Sequence, residues 1–350
     1  MKEETTYKHC FWFIVISIAL ALFTLSVQAQ TVSFERFVNN PIITADMLPS
    51  TEEGDDINGP SLIEAPGWLP NKLGKYYLYF AHHKGKYIRL AYANDLKGPW
   101  KIYTPGTLHI EDCICNKAPF ASGESVRHDG KENEGDQVTH IASPDVLSDP
   151  PCKQFIMYFH CPLEYKGKKG QYSLRAVSKD GIHFTADSTV LGDSYFRVFK
   201  WKDSYYSLAR TGIVGRSKDG IATFERGNNP FSTKDSASRL RHVAVKVEGN
   251  TLYVFYSRIG DTPERIQLSE INLNDDWLSW KASAPIEVAA PATGYEGADL
   301  PVIKSDAGLY YGKVRQLRDP YVYVENNKWF LLYAAAGENS IAIGELKINK

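Results

Sequence analysis

The chain has 350 residues, with 40 Lys and Arg against 41 Asp and Glu, so its formal charge is −1. Such a balance offers no global basic field and excludes general attraction to nucleic acid or to an anionic membrane. Aromatic residues at 13%, with 26 Gly and 18 Pro, suit many short strands joined by tight turns and argue against a helical bundle.

The first segment, residues 1–29, reads as a signal peptide. A polar start with Lys2 and Lys8 runs into an apolar stretch from Phe11 to Val27 and then into the small-x-small pattern Val27-Gln28-Ala29. The apolar run of about 17 residues is at the lower limit for spanning a bilayer, so no stable membrane insertion is expected after cleavage. The expected location is periplasmic or secreted. Residues 30–350 are long enough for one large core and are expected to form a single domain.

Five apolar and aromatic runs then recur: Tyr76–Phe80, Phe155–Phe159, Tyr205–Ala209, Leu252–Tyr256 and Trp329–Tyr333. Each follows a shorter strand, in order Pro60–Ile63, Pro144–Leu147, Phe196–Phe199, His242–Val245 and Pro320–Tyr323. A third strand and a turn closed by an aromatic complete the unit, most clearly in Ser178-Lys-Asp-Gly-Ile-His-Phe184 and Ser217-Lys-Asp-Gly-Ile-Ala-Thr-Phe224. Short-strand units repeated five times predict an all-β, five-bladed β-propeller, since a sandwich has no reason to repeat the Asp-Gly turn at corresponding places. Two insertions, roughly residues 103–139 and 282–315, interrupt the period, and loops of that length in a compact domain are usually functional.

Four cysteines follow the leader: Cys113, Cys115, Cys152 and Cys161. Cys152 and Cys161 flank one extended run and would lie about 30 Å apart along a strand, so they cannot pair with each other. A Cys-x-Cys to Cys pairing between the segment near residue 114 and blade two is one expectation; a zinc site is the other, with no CxxC pair to support it.

In a propeller the innermost strands line one channel, which turns a dispersed set of residues into a site. Those strands carry Asn58 and Ser61, Ser143 and Asp145, Tyr195 and Arg197, Arg241 and His242, then Arg318, Asp319 and Tyr321. The ends of the second strands add a cationic ring of His82, His83, His160, Arg210 and Arg258. Together they suggest a ligand bearing carboxylate or sulfate groups, which Arg clasps bidentately.

On the opening Asn40-Pro41-Ile42, the strand Lys75–Phe80, the Ser-Lys-Asp-Gly closures and the Asp-Pro inner strand, the chain resembles the five-bladed glycosidases of glycoside hydrolase families 43, 32 and 117. The resemblance spans nearly the whole chain after the leader and implies an exo-acting glycoside hydrolase on an acidic or anhydro-sugar oligosaccharide. It departs from family 43 where that family's base is expected, because blade one reads Asn58-Gly59-Pro60-Ser61, and no Glu acid stands in blade three. The Asp-Pro pair is found in blade five, as Arg318-Asp319-Pro320, which resembles family 32.

An inverting hydrolase needs an acid and a base roughly 6.5–9.5 Å apart. The candidates are Asp319 or Asp145 as base, Glu296 as acid and the remaining carboxylate as modulator. His242 is a proton donor or ligand orienter by resemblance to family 117. Expected substrate contacts are Asn58, His82, His83, Arg197, Arg241, Arg258, Arg318 and Tyr321. No cofactor is expected to be required; the resemblance allows a structural calcium, although no cation-binding loop is legible. A polysaccharide lyase using Tyr195, Tyr321 and His242, a non-catalytic glycan-binding propeller and a phosphorylase are the competing readings.

Overall fold

The computed structural model describes residues 31–117, 139–232 and 239–349; the leader lies outside the described residues. These residues form five antiparallel sheets arranged as the blades of a propeller, with almost no helix. The innermost strands are Asn58–Glu64, Ala142–Asp149, Arg197–Trp201, Leu240–Glu248 and Arg318–Glu325. Both ends of the propeller share blade five: the first strand, Thr31–Arg36, pairs in full register with the last, Ser340–Asn349, as its outermost strand. That closure was not legible from the repeat, which places no partner for the first strand.

The second strands read as unbroken apolar runs because they are buried on both faces. In Tyr76–Ala81, the side chains of Tyr77 and Tyr79 pack with Phe155 and Phe159 against blade two. Tyr76, Leu78 and Phe80 of the same strand pack with Phe330 and Leu332 against blade five. Leu252, Val254 and Tyr256 likewise face blade three, while Tyr253 and Phe255 face blade five. A strand with two covered faces gains from apolar residues at every position, which replaces the period-two alternation of a half-exposed strand.

The repeated Ser-Lys-Asp-Gly turn docks one blade on the next. Asp180 Oδ1 accepts the backbone N–H groups of Ile182 and His183, both at 2.8 Å, and the left-handed Gly181 (φ 75°) turns its carbonyl to the Tyr79 hydroxyl of blade one, at 2.7 Å. Asp219 and Gly220 repeat the arrangement toward Tyr158 of blade two. Any side chain at Gly181 would meet Tyr79 and Phe155 at 3.0 Å in a conformation that L-residues resist. The recurrence in sequence therefore reflects a recurring inter-blade contact.

Of the four cysteines, Cys115 and Cys161 form a disulfide, which ties the first insertion to blade two. This is the expected pairing of the Cys-x-Cys segment with blade two. Cys113 is buried, and burial pushes its thiol up to about 12. Cys152 is exposed. Alkylation of the native leaderless protein is expected to label Cys152, with Cys113 reacting only after unfolding and Cys115 and Cys161 only after reduction; mass mapping of the labelled peptides checks the order.

Candidate active site

Four of the five inner strands carry the same register shift, between Asn58 and Ser61, Ala142 and Asp145, Leu240 and Val243, and Arg318 and Tyr321. A bulge re-aims the side chain at its crest. Here the crest residues are Gly59, Ser143, Arg241 and Asp319, with Tyr195 in the matching place just before the strand of blade three. Gly59, Ser143, Tyr195 and Asp319 all have positive φ, of 60°, 51°, 63° and 47°. Left-handed backbone costs a non-glycine residue on the order of 1–3 kcal/mol, so three such residues at equivalent places mark the axis as a strained, functional region.

The crests converge. Gly59 N donates to Asp319 Oδ2 at 3.4 Å, and Asp319, fully buried, is in direct contact with His242 Nδ1 through its other oxygen. His242 stacks on Tyr195 with ring centroids 4.3 Å apart, and Tyr195 stacks on His160 at 4.0 Å. A small axial pocket, with room for about one water molecule, lies beside these rings and is lined by His83, Tyr195, Arg210, Arg241, His242, Ile259 and Gly308. The structure thus brings His83 of blade one together with Arg241 and His242 of blade four.

Burial first, then the guanidiniums of Arg241 and Arg197 and the rings of His83 and His160, drive His242 well below the usual imidazole range. A neutral ring can carry its proton on Nδ1, the nitrogen in contact with the Asp319 carboxylate. His160 is also driven to its neutral form, chiefly by burial.

Asp145 has a different place. It accepts the Val198 N–H at 2.8 Å across the gap between blades two and three, as Ser61 accepts that of Val146 between blades one and two. Burial raises its pKa, with Arg197 and the Val198 N–H opposing. Arg197 itself donates to the carbonyls of Pro144 and Val243, at 2.8 and 3.0 Å, with its guanidinium over the Tyr321 ring. Asp145, Arg197 and Tyr321 therefore form a layer along the strands below the pocket that links blades, rather than a surface for ligand.

Glu296 is not brought to the axis. It is fully buried in the second insertion, where it accepts from Arg36 Nε at 2.6 Å, Tyr333 Oη at 2.5 Å and the N–H groups of Ala292 and Thr293. Its acceptor capacity is used in capping a 3₁₀ turn and fastening it to the outermost strand of blade five. The expected carboxylate pair of Asp319 or Asp145 with Glu296 is accordingly not assembled in the pocket, and no lining residue there is acidic among the described residues.

The arginines expected to grip an anion are mostly spent on protein. Arg241 makes a bidentate pair with Glu264, at 2.8 and 3.1 Å, and donates to the carbonyls of Asp306 and Gly308. Arg318 donates to Gln316, to Gly308 O and to Glu338 Oε1. Together they hold residues 306–308 of the second insertion over the axis. Arg258 does not line the pocket, and its Nε has no hydrogen-bond partner. Arg210, whose guanidinium lies over Tyr195 at 5.8 Å, lines the pocket and pairs with no carboxylate among the described residues.

Asn58 and His83 turn toward Asp56, with Asn58 Nδ2 at 2.5 Å from Asp56 Oδ1 and His83 Nδ1 at 2.9 Å from Oδ2. His82 pairs with the exposed Asp55 at 2.9 Å. Sequence reasoning did not find Glu264 or Glu338. Glu264 follows Thr262-Pro263 in a turn with no repeat signal. Glu338 lies just past the second strand of blade five, the place that holds His82 and His83 in blade one, so extending the ring of strand ends to that blade would have found it.

No established family profile matches the chain. Among solved structures it is similar to a thermostable family-43 glycoside hydrolase, with a TM-score of 0.54 at 12% identity over 84% of this chain and 93% of that one. It is also similar to CoXyl43, a GH43 β-xylosidase/α-arabinofuranosidase from a compost microbial metagenome solved with xylotriose, with a TM-score of 0.53 at 14% identity over 90% and 94% of the two chains. A third is the GH43_1 enzyme of Xanthomonas citri, with a TM-score of 0.51 at 13% identity over 83% and 88%. At such low identity these likenesses establish the five-bladed fold. Over 354 aligned residues the chain is 36% identical to uncharacterized protein R118 of Acanthamoeba polyphaga mimivirus, covering 94% of this chain and 96% of that protein, and it belongs to the same family as R118.

Proposed function

We propose that the protein is a glycoside hydrolase that takes a short anionic oligosaccharide end-on in the axial pocket. The observation that carries this reading is the buried His242–Asp319 contact at the floor of a pocket walled by Tyr195 and Arg210. The likeness in fold to family 43 hydrolases, one of them solved with xylotriose, supports the choice of a glycan. His242 Nε2 takes a proton from the attacking water, Asp319 stabilises the imidazolium that forms, and the Tyr195 hydroxyl protonates the departing oxygen. Arg210 holds the carboxylate or sulfate of the sugar. The Cys115–Cys161 disulfide supports an oxidising compartment and hence export.

A second reading, a polysaccharide lyase, is favoured by the lack of a carboxylate among the described lining residues. Arg210 would then neutralise a uronate while His242 or Tyr195 removes the proton beside it. The purified protein is to be tested against acidic and neutral oligosaccharides, following reducing ends and ultraviolet absorbance together. New reducing ends without absorbance establish hydrolysis; absorbance from an unsaturated uronate establishes the lyase and overturns the first reading. Arg210→Ala is expected to raise KM for anionic substrates about 10- to 100-fold while sparing kcat, as loss of a charge-assisted contact in the ground state does. Steady-state kinetics on an anionic sugar and its neutral counterpart measure the difference.

A further inference from the structure

We propose that Asp56, His83 and Glu338 form a binding site for a divalent cation of the zinc or manganese class. Asp56 precedes the inner strand of blade one, His83 follows its second strand, and Glu338 reaches across from blade five. One ligand atom from each lies within 4.8 Å of the others. Asp56 and Glu338 are each only 1% exposed, so neither carboxylate is a solvated surface acid.

The Asp56 oxygens accept from Asn58 Nδ2 and the His83 N–H, but the protein leaves one oxygen of this cluster unsatisfied. Glu338 Oε1 has Arg318 at 3.3 Å, but Oε2, which lies 3.5 Å from His83 Nδ1, is buried without a hydrogen-bond partner. His83 Nδ1 meets Asp56 Oδ2 and the Asn58 amide nitrogen, both at 2.9 Å. If Nδ1 is bare it accepts from Asn58 but confronts the lone pairs of two carboxylates. If Nδ1 is protonated it serves a carboxylate but confronts the amide hydrogens. A cation that takes the Nδ1 lone pair with one oxygen from Asp56 and one from Glu338 removes the repulsion among them.

The donor set decides the class of cation. Calcium and magnesium prefer shells of oxygen, whereas one imidazole nitrogen with two carboxylates suits zinc or manganese. His83 also lines the axial pocket, so the ion would belong to the wall of the funnel. The site depends on geometry alone and stands whether or not the pocket hydrolyses a glycan.

The test uses the purified protein stripped with a chelator, then titrated separately with Zn²⁺, Mn²⁺ and Ca²⁺ while bound metal and melting temperature are measured. The expected result is about one equivalent of Zn²⁺ or Mn²⁺ per chain and a rise in melting temperature of roughly 5 °C at saturating ion. Glu338→Gln and Asp56→Asn, which keep the side-chain shapes, are each expected to weaken binding on the order of 100-fold with an unchanged circular dichroism spectrum. No retained ion and no shift in melting overturns the site. Full binding in both folded variants places the ion elsewhere and also overturns it, and a response to Ca²⁺ alone overturns the assigned class.

Discussion

Asp319→Asn is expected to lower kcat about 10³- to 10⁴-fold, with KM little changed. The substitution conserves volume at a fully buried position, and the amide can still meet the Gly59 N–H. What it removes is the negative charge against His242 Nδ1, and with it both the preference for the Nδ1–H tautomer and the stabilisation of the imidazolium during proton transfer. His242→Gln should lose a similar factor, and the double variant should lose little more, because the two side chains act as one unit. Initial-rate measurements on whichever oligosaccharide the screen identifies decide the matter. A folded Asp319→Asn protein with the parent's kcat would exclude the pair from the chemistry, and losses that multiply in the double variant would show that the two residues act separately.

The second large effect is on stability. Glu264→Ala is expected to destabilise the fold by about 3–5 kcal/mol, because it leaves two buried guanidiniums without their shared carboxylate. Glu264 is completely buried, pairs bidentately with Arg241, accepts from Ser257 Oγ at 2.7 Å and lies 3.6 Å from Arg318. In a domain of this size such a loss lowers the melting temperature by roughly 10 °C, and denaturant titration measures it directly.

The same residue predicts a pH dependence. Burial alone would raise the Glu264 pKa, but Arg241 and Arg318 override it and hold the group below the usual glutamate range. A depressed folded pKa contributes stability that is present above the unfolded value and lost as pH falls through the folded one. Loss is therefore expected below about pH 4, and Glu264→Gln should flatten that limb of the stability profile. Because Arg241 and Arg318 also hold Gly308 over the axis, the Glu264→Ala variant is expected to lose pocket geometry along with stability.

Much of this architecture could be read from residue order because its cause is local and repeated. Most second strands carry a run of apolar and aromatic residues since both their faces are covered, and the Ser-Lys-Asp-Gly turn recurs since it presents a carbonyl to a tyrosine of the preceding blade. Those demands act within a few residues, so they leave a pattern that can be aligned. A bridge between the Cys-x-Cys segment and blade two was legible through the exclusion of a Cys152–Cys161 pair, but that exclusion leaves open which cysteines pair, and only the structure joins Cys115 to Cys161.

The roles of the charged residues were not legible in this way. Asp145, Arg197, Glu296, Arg241 and Arg318 have the composition of a catalytic pocket, yet each spends its charge on blade contacts or on fastening an insertion. A carboxylate in sequence carries no mark of whether its lone pairs meet a ligand, a guanidinium or a backbone N–H from another blade. The sequence by itself determined the number of blades and the strands that line the axis, because apolar period and turn chemistry are properties of neighbouring residues. Only the tertiary structure decided that His242 meets Asp319 and that Glu264 and Glu338 neutralise the axial arginines, because these contacts join residues that are far apart in sequence.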